Sequence, residues 1–145
     1  MKYFFDTSVL VAAFQEDHEH HEPSFAAFLK ADRSRACCAA HTLAEVYATL
    51  TRMPGKNRVS GEQAMLFLQD VRERLSVVTL TGDETFAALT DAATAGIVGG
   101  AIYDALLARC ALKSGATTIY TWNVRHFQRL GPEIARRVKV PGSSS

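Results

Sequence analysis

Short apolar runs alternate along the chain with stretches whose apolar residues recur at helical spacing, so the pattern predicts strands feeding helices. Tyr3 to Phe5 reads as a strand that stops at Asp6-Thr7-Ser8. Val9, Leu10, Ala13 and Phe14 then mark one face of a helix, and Phe25, Phe28 and Leu29 mark a second after Pro23. Ala36 to Ala40 is a short buried strand, followed by a helix through Leu43, Val46, Tyr47 and Leu50 that ends near Met53-Pro54-Gly55. Ala64, Phe67, Leu68 and Val71 define another helix, and Leu75 to Leu80 a strand. Phe86, Leu89, Ala93 and Ile97 predict a helix stopped by Gly99-Gly100. Ala101 to Lys113 predicts one more, with Gly115 where a left-handed cap belongs. Thr117 to Thr121 is a strand, Leu130-Gly131-Pro132 a turn, and Val138 to Val140 a last short strand.

Strands alternating with helices predict an α/β sandwich around a mostly parallel sheet. The length of 145 residues suits one domain, taken as 1–140, with 141–145 as a flexible end. The hydrophobic fraction of 48% excludes a disordered tail, and a net charge of +1 excludes a global basic field for nucleic acid. Any anionic partner must be held by local patches or a metal. Cys37, Cys38 and Cys110 are an odd set without zinc spacing, which suits reduced, buried thiols. Asp6 interrupts the apolar start, so no signal peptide is expected. No apolar run approaches the ~20 residues that span a bilayer. The expected compartment is the cytoplasm.

Ligands of parallel α/β sheets bind beyond the carboxyl ends of the strands. Asp6, Glu45 and Asn123 fall at or near such ends, and Asp104 lies in a helix start ahead of the last long strand. Each has an ordinary reading. Asp6 suits a helix N-cap, although Thr7 and Ser8 would cap equally well. Thr42-Leu43-Ala44-Glu45 fits a capping box. Asn123 suits the N-cap of a short helix. Asp104, set among Ile102, Tyr103, Ala105 and Leu106, needs a partner such as Arg109 or a cation. Together the four propose a pocket of hard oxygen donors, which suits Mg²⁺ or Mn²⁺ and not zinc. Such a site binds phosphate oxygens and activates water.

Four segments carry a resemblance: Phe5-Asp6-Thr7-Ser8, Leu43-Ala44-Glu45-Val46-Tyr47, Ile102-Tyr103-Asp104-Ala105-Leu106, and Thr121-Trp122-Asn123-Val124-Arg125-His126-Phe127. In this order and spacing the chain resembles the PIN-domain nucleases, and among them the VapC-like toxins of toxin–antitoxin pairs. The likeness spans Tyr3 to about Val140. It implies a PIN-like three-layer α/β/α sandwich and Mg²⁺- or Mn²⁺-dependent cleavage of RNA phosphodiesters. It further implies homodimers and a cognate antitoxin. The family's three acidic positions fall on Asp6, Glu45 and Asp104, and its hydroxyl on Thr121. Its fourth polar position, often Asp, is Asn123 here, which removes one negative charge.

For an RNA substrate the phosphate-binding candidates are Arg52, Lys56 and Arg58 in the loop after the Glu45 helix, with Arg125 beside Asn123. The His18-Glu19-His20-His21 run reads as a solvated helix start and not as a metal site. Trp122 and Tyr47 read as core or pocket wall, with rings able to stack on a base. Apolar helices such as that over Ala64 to Val71 need covering, in keeping with a homodimer. A PIN-like module that binds RNA or a protein without cutting is the alternative function. A phosphatase with Asp6 as nucleophile is disfavoured, because Ser8 stands where such motifs place a second Asp.

Overall fold

The computed structural model describes residues 1–143. Its sheet has five strands, β1 (Tyr3–Phe5), β2 (Ala36–Ala39), β3 (Ser76–Val78), β4 (Thr118–Tyr120) and β5 (Val138–Lys139). They lie in the order β3-β2-β1-β4-β5, and every pairing is parallel. The helices are α1 (Thr7–Phe14), α2 (His21–Leu29), α3 (Ala40–Thr51), α4 (Gly61–Arg74), α5 (Gly82–Thr94), α6 (Ala101–Ser114), α7 (Val124–Gln128) and α8 (Pro132–Ala135).

Strand pleating sorts the core into two layers, since successive side chains face opposite ways. Phe5 and Cys38 point into a cluster with Val9, Leu10, Val46 and Leu50, beneath α1 to α4. Phe4 and Cys37 point the other way, into a cluster with Leu107, Ala111 and Phe127 beneath α6 to α8. The near-continuous apolar character of these strands follows from helices covering both faces. This is the α/β/α sandwich that the alternation predicts. All three cysteines are buried and unbridged.

Several boundaries differ from the sequence expectation. Ala40 opens α3 and does not end β2. α5 stops at Thr94, not at Gly99-Gly100; the reversal comes at Gly96, whose φ of 77° lies in the left-handed region, so Ile97 is outside the helix. The predicted turn at Gly131-Pro132 launches α8, with proline in its first turn. α2 begins two residues before Pro23. Pro141 is buried, so packing continues beyond the 1–140 boundary. Residues 144–145 of the expected flexible end lie outside the described residues.

β1 is the centre of the sheet, with β2 on one side and β4 on the other. The chain order therefore reverses at β1, which opens a crevice beyond its carboxyl end. Asp6 is the first residue past that end.

Candidate active site

Asp6 occupies the N-cap position of α1, yet its side chain makes no capping hydrogen bond. Its carboxylate instead points into the crevice and is 2% exposed. Oδ2 accepts hydrogen bonds from Ser8 Oγ and Thr121 Oγ1, both at 2.8 Å. Those hydroxyls are themselves held, because Trp122 N–H donates to Ser8 Oγ and Asn123 N–H donates to Thr121 Oγ1, both at 2.9 Å. Each hydroxyl thus accepts from the backbone after β4 and donates to Asp6. Neither bond uses Oδ1.

Glu45 lies in the second turn of α3. The capping box expected for it does not form. The N-cap of α3 is Ala39 without a side-chain cap. Thr42, three residues further, is buried with an unpartnered Oγ1. Glu45 Oε1 instead accepts from Thr7 Oγ1 at 2.9 Å, tying α3 to α1. True capping boxes form at Ser60 with Gln63 and at Thr81 with Glu84.

Asp104 stands in the first turn of α6, with its side chain 26% exposed. Arg109 is not its partner, since that guanidinium pairs with Asp91. The near cation candidate is His126, whose Nδ1 lies 3.5 Å from Asp104 Oδ2. Asn123 occupies the N-cap position of α7 without a side-chain cap, and the residue lines the same crevice as the acids.

One cavity of about 450 Å³ gathers Asp6, Glu45, Asp104 and Asn123, from the ends of β1, β2 and β4 and the start of α6. Burial pushes the Asp6 carboxyl above its ordinary range, against the lowering effect of the Thr121 and Ser8 hydroxyls. Asp104 is also pushed up, first by burial and then by the charge of Asp6, with His126 opposing and Glu45 adding. The acids therefore sense one another, and a bound cation would relieve that conflict. Among the described residues no group of three or more His, Cys, Asp or Glu side chains is drawn together closely enough to hold a metal ion. An open set of carboxylates and an amide nonetheless fits Mg²⁺, which keeps several of its own waters and takes one or two carboxylates directly.

The other candidates lie elsewhere. Arg52, Lys56, Arg58 and Arg125 are exposed, and none lines the acidic cavity. Arg58 Nε donates to Met53 O at 3.0 Å, which folds the loop onto itself. Tyr47 is not core: it is 40% exposed and its hydroxyl lies over Gly61. Tyr103, 51% exposed, stacks on His41. The histidine run departs further from expectation. His21 does open α2, but His18 and His20 line the acidic cavity. Sequence reasoning also missed Thr7 as the hydroxyl on Glu45 and His126 as the neighbour of Asp104. Thr7 stood in the motif already, read only as a spare cap.

The family model described as the PIN domain matches residues 3–131. Ribonuclease VapC40 of Mycobacterium tuberculosis is 36% identical over 112 residues, which cover 77% of this chain and 79% of that protein. Among solved structures, VapC20 of Mycobacterium tuberculosis, described as a sarcin-ricin loop cleaving toxin, superposes with a TM-score of 0.68 at 18% identity. That match covers 86% of this chain and 92% of VapC20. VapBC2 from Rickettsia felis, solved bound to a DNA fragment from its promoter, gives a TM-score of 0.66 at 21% identity over 97% of this chain and 99% of its own. The structures share the fold, and the sequence matches establish the relationship. The chain belongs to the PIN domain family, among its VapC-type members.

Proposed function

We propose that this chain is a metal-dependent endoribonuclease and the toxin of a toxin–antitoxin pair. The observation that carries the reading is the buried Asp6, oriented by Ser8 and Thr121, in one cavity with Glu45 and Asp104. Support comes from the VapC40 relative, which is named a ribonuclease, and from neighbours solved as VapBC complexes.

Asp6, Glu45 and Asp104 would hold Mg²⁺ or Mn²⁺, with Asn123 as a neutral oxygen ligand. When bound, the cation supplies Lewis acidity toward a phosphoryl oxygen and toward an attacking water. Thr121 and Ser8 fix the direction of the Asp6 carboxylate, and Thr7 fixes Glu45. Asn123 orients substrate or water at the open side of the cavity. Arg52, Lys56, Arg58 and Arg125 would bind phosphates of the RNA away from the cut.

Exposed apolar side chains on α4 and α5, such as Leu66 at 65% and Phe86 at 72%, suit burial by a second copy and by the cognate antitoxin. Buried, unbridged cysteines fit action in the reducing cytoplasm. Among the described residues no helix is long and apolar enough to cross a membrane.

The test is incubation of antitoxin-free protein with a panel of structured RNAs, with Mg²⁺ or Mn²⁺ and with chelator, beside Asp104→Ala. Cleavage that needs both the cation and Asp104 is expected. Cleavage retained by a folded Asp104→Ala protein overturns the assignment. RNA binding without any cut supports the non-cleaving module instead.

A further inference from the structure

His20 and Trp122 form a face-to-face stack on the wall of the acidic cavity, with ring centroids 3.7 Å apart and planes 6° from parallel. Trp122 is held at its indole and at its backbone. Its indole Nε1–H donates to Ser24 Oγ at 2.8 Å, Ser24 is fully buried, and the Trp122 backbone N–H is bound to Ser8. The loop carrying His20 is equally built. His20 N–H donates to His18 Nδ1 at 3.0 Å, His18 N–H to Gln15 O, and His21 Nδ1 lies 2.9 Å from Ala12 O. The His20 side chain keeps 37% exposure, with Glu19 3.5 Å from its Nε2. A rigid aromatic step therefore stands beside Asp6, Glu45 and Asp104.

The cavity poses an electrostatic problem for its substrate. It presents four carboxylates, those of Asp6, Glu19, Glu45 and Asp104, and no lysine or arginine lines it. Phosphate contacts cannot supply local affinity there beyond what a cation brings. Affinity from the face of a base does not meet that obstacle, since base–aromatic stacking is neutral and tolerant of sequence.

We propose that the His20–Trp122 step is a stacking subsite for an unpaired nucleobase next to the cleaved phosphodiester, the base packing on the exposed part of this aromatic wall, beside the His18 ring, 5.7 Å from that of His20. The inference rests on the ribonuclease reading and deepens it, because it names the residues that would grip a base beside the cut. Bases inside a duplex have no free face to offer, whereas loops splay theirs onto aromatic side chains.

Trp122 is the sole tryptophan of the chain, so its emission reports on the stack directly. The full chain is titrated with a short unpaired oligoadenylate and with the same strand paired to its complement, in Mg²⁺ and in chelator. Quenching by the single strand and not by the duplex is expected. His20→Ala is expected to weaken single-strand affinity about tenfold without changing its slope against salt, and His20→Phe to restore it. Unchanged or tighter binding by His20→Ala, with its fold verified by circular dichroism, overturns the proposal. Metal-dependent RNA cleavage without any quenching overturns the stacking subsite alone. Quenching without cleavage on the RNA panel leaves the subsite and removes the ribonuclease reading.

Discussion

Thr121 and Asp6 stand 115 residues apart in sequence and share a 2.8 Å hydrogen bond, from the hydroxyl after β4 to the carboxylate after β1. The bond lies within the core of the crevice, where Thr121 is fully buried. It aims Asp6 and opposes the upward push of burial on its pKa. Thr121→Val is therefore expected to lower cleavage about 10- to 100-fold, as loss of a group orienting a metal ligand does. Thr121→Ser keeps the hydroxyl and is expected to retain most activity. Equal activity in all three proteins, measured on one RNA at saturating Mg²⁺, would show that the hydroxyl does not position Asp6.

Without a cation, Asp6 and Asp104 weaken the fold at neutral pH. Both have folded pKa values raised above the unfolded ones, so the native state binds their protons more tightly. Their contribution is fully present below the unfolded value of about 4 and is lost as pH rises through the folded value. Metal-free protein is thus expected to lose stability from these groups as pH climbs toward neutrality. Asp6→Asn should flatten that loss and raise the midpoint of thermal unfolding at pH 7 in chelator. Adding Mg²⁺ should raise the midpoint of the native protein and not that of Asp6→Asn. Thermal melts across pH, with and without the cation, read both effects.

Thr42 offers a separate test in the first turn of α3. Its hydroxyl oxygen is buried without a partner, although the chain spends no capping function on it. Thr42→Val removes that polar atom at nearly the same volume and is expected to stabilise the protein by about 1 kcal/mol. Destabilisation in urea unfolding would mean that the hydroxyl has a partner in solution.

The loop Arg52, Lys56 and Arg58 is predicted to act through charge at a distance from the cut. Neutralising all three should reduce the slope of RNA affinity against salt by about 2, since each single-strand phosphate contact contributes about 0.7. The rate at saturating RNA should stay the same. An unchanged slope removes the loop from the RNA path.

The layers of the fold were legible because two periods, strand and helix, alternate cleanly, and because Phe4-Phe5 and Cys37-Cys38 are apolar on both faces. Asp6, Glu45, Asp104 and Asn123 were legible as a set through their places at strand and helix starts. Their partners were not. Thr42-Leu43-Ala44-Glu45 satisfies the capping spacing, but the helix starts two residues before Thr42, which puts its hydroxyl in the core. Arg109 shares a helix with Asp104 but lies five residues on, and it faces Asp91 on α5 instead. His18 and His20 carry no periodic signal at all. Their position depends on how the loop after α1 turns back over Trp122, a contact made 102 residues away in sequence.

The central place of β1 carries a temporal consequence. The first site residue to be synthesised, Asp6, has the Ser8 hydroxyl beside it from the start but acquires its second hydroxyl partner only when Thr121 has been made and β4 has paired beside it. Every contact that assembles the crevice from β1 to β4 is of long range, and such contacts form late and slowly. A ribosome-bound chain that stops short of Thr121 therefore carries the acids but not the arrangement that aims them. The order of the strands acts as a delay, so that cutting power arrives with the completed sheet and not before it.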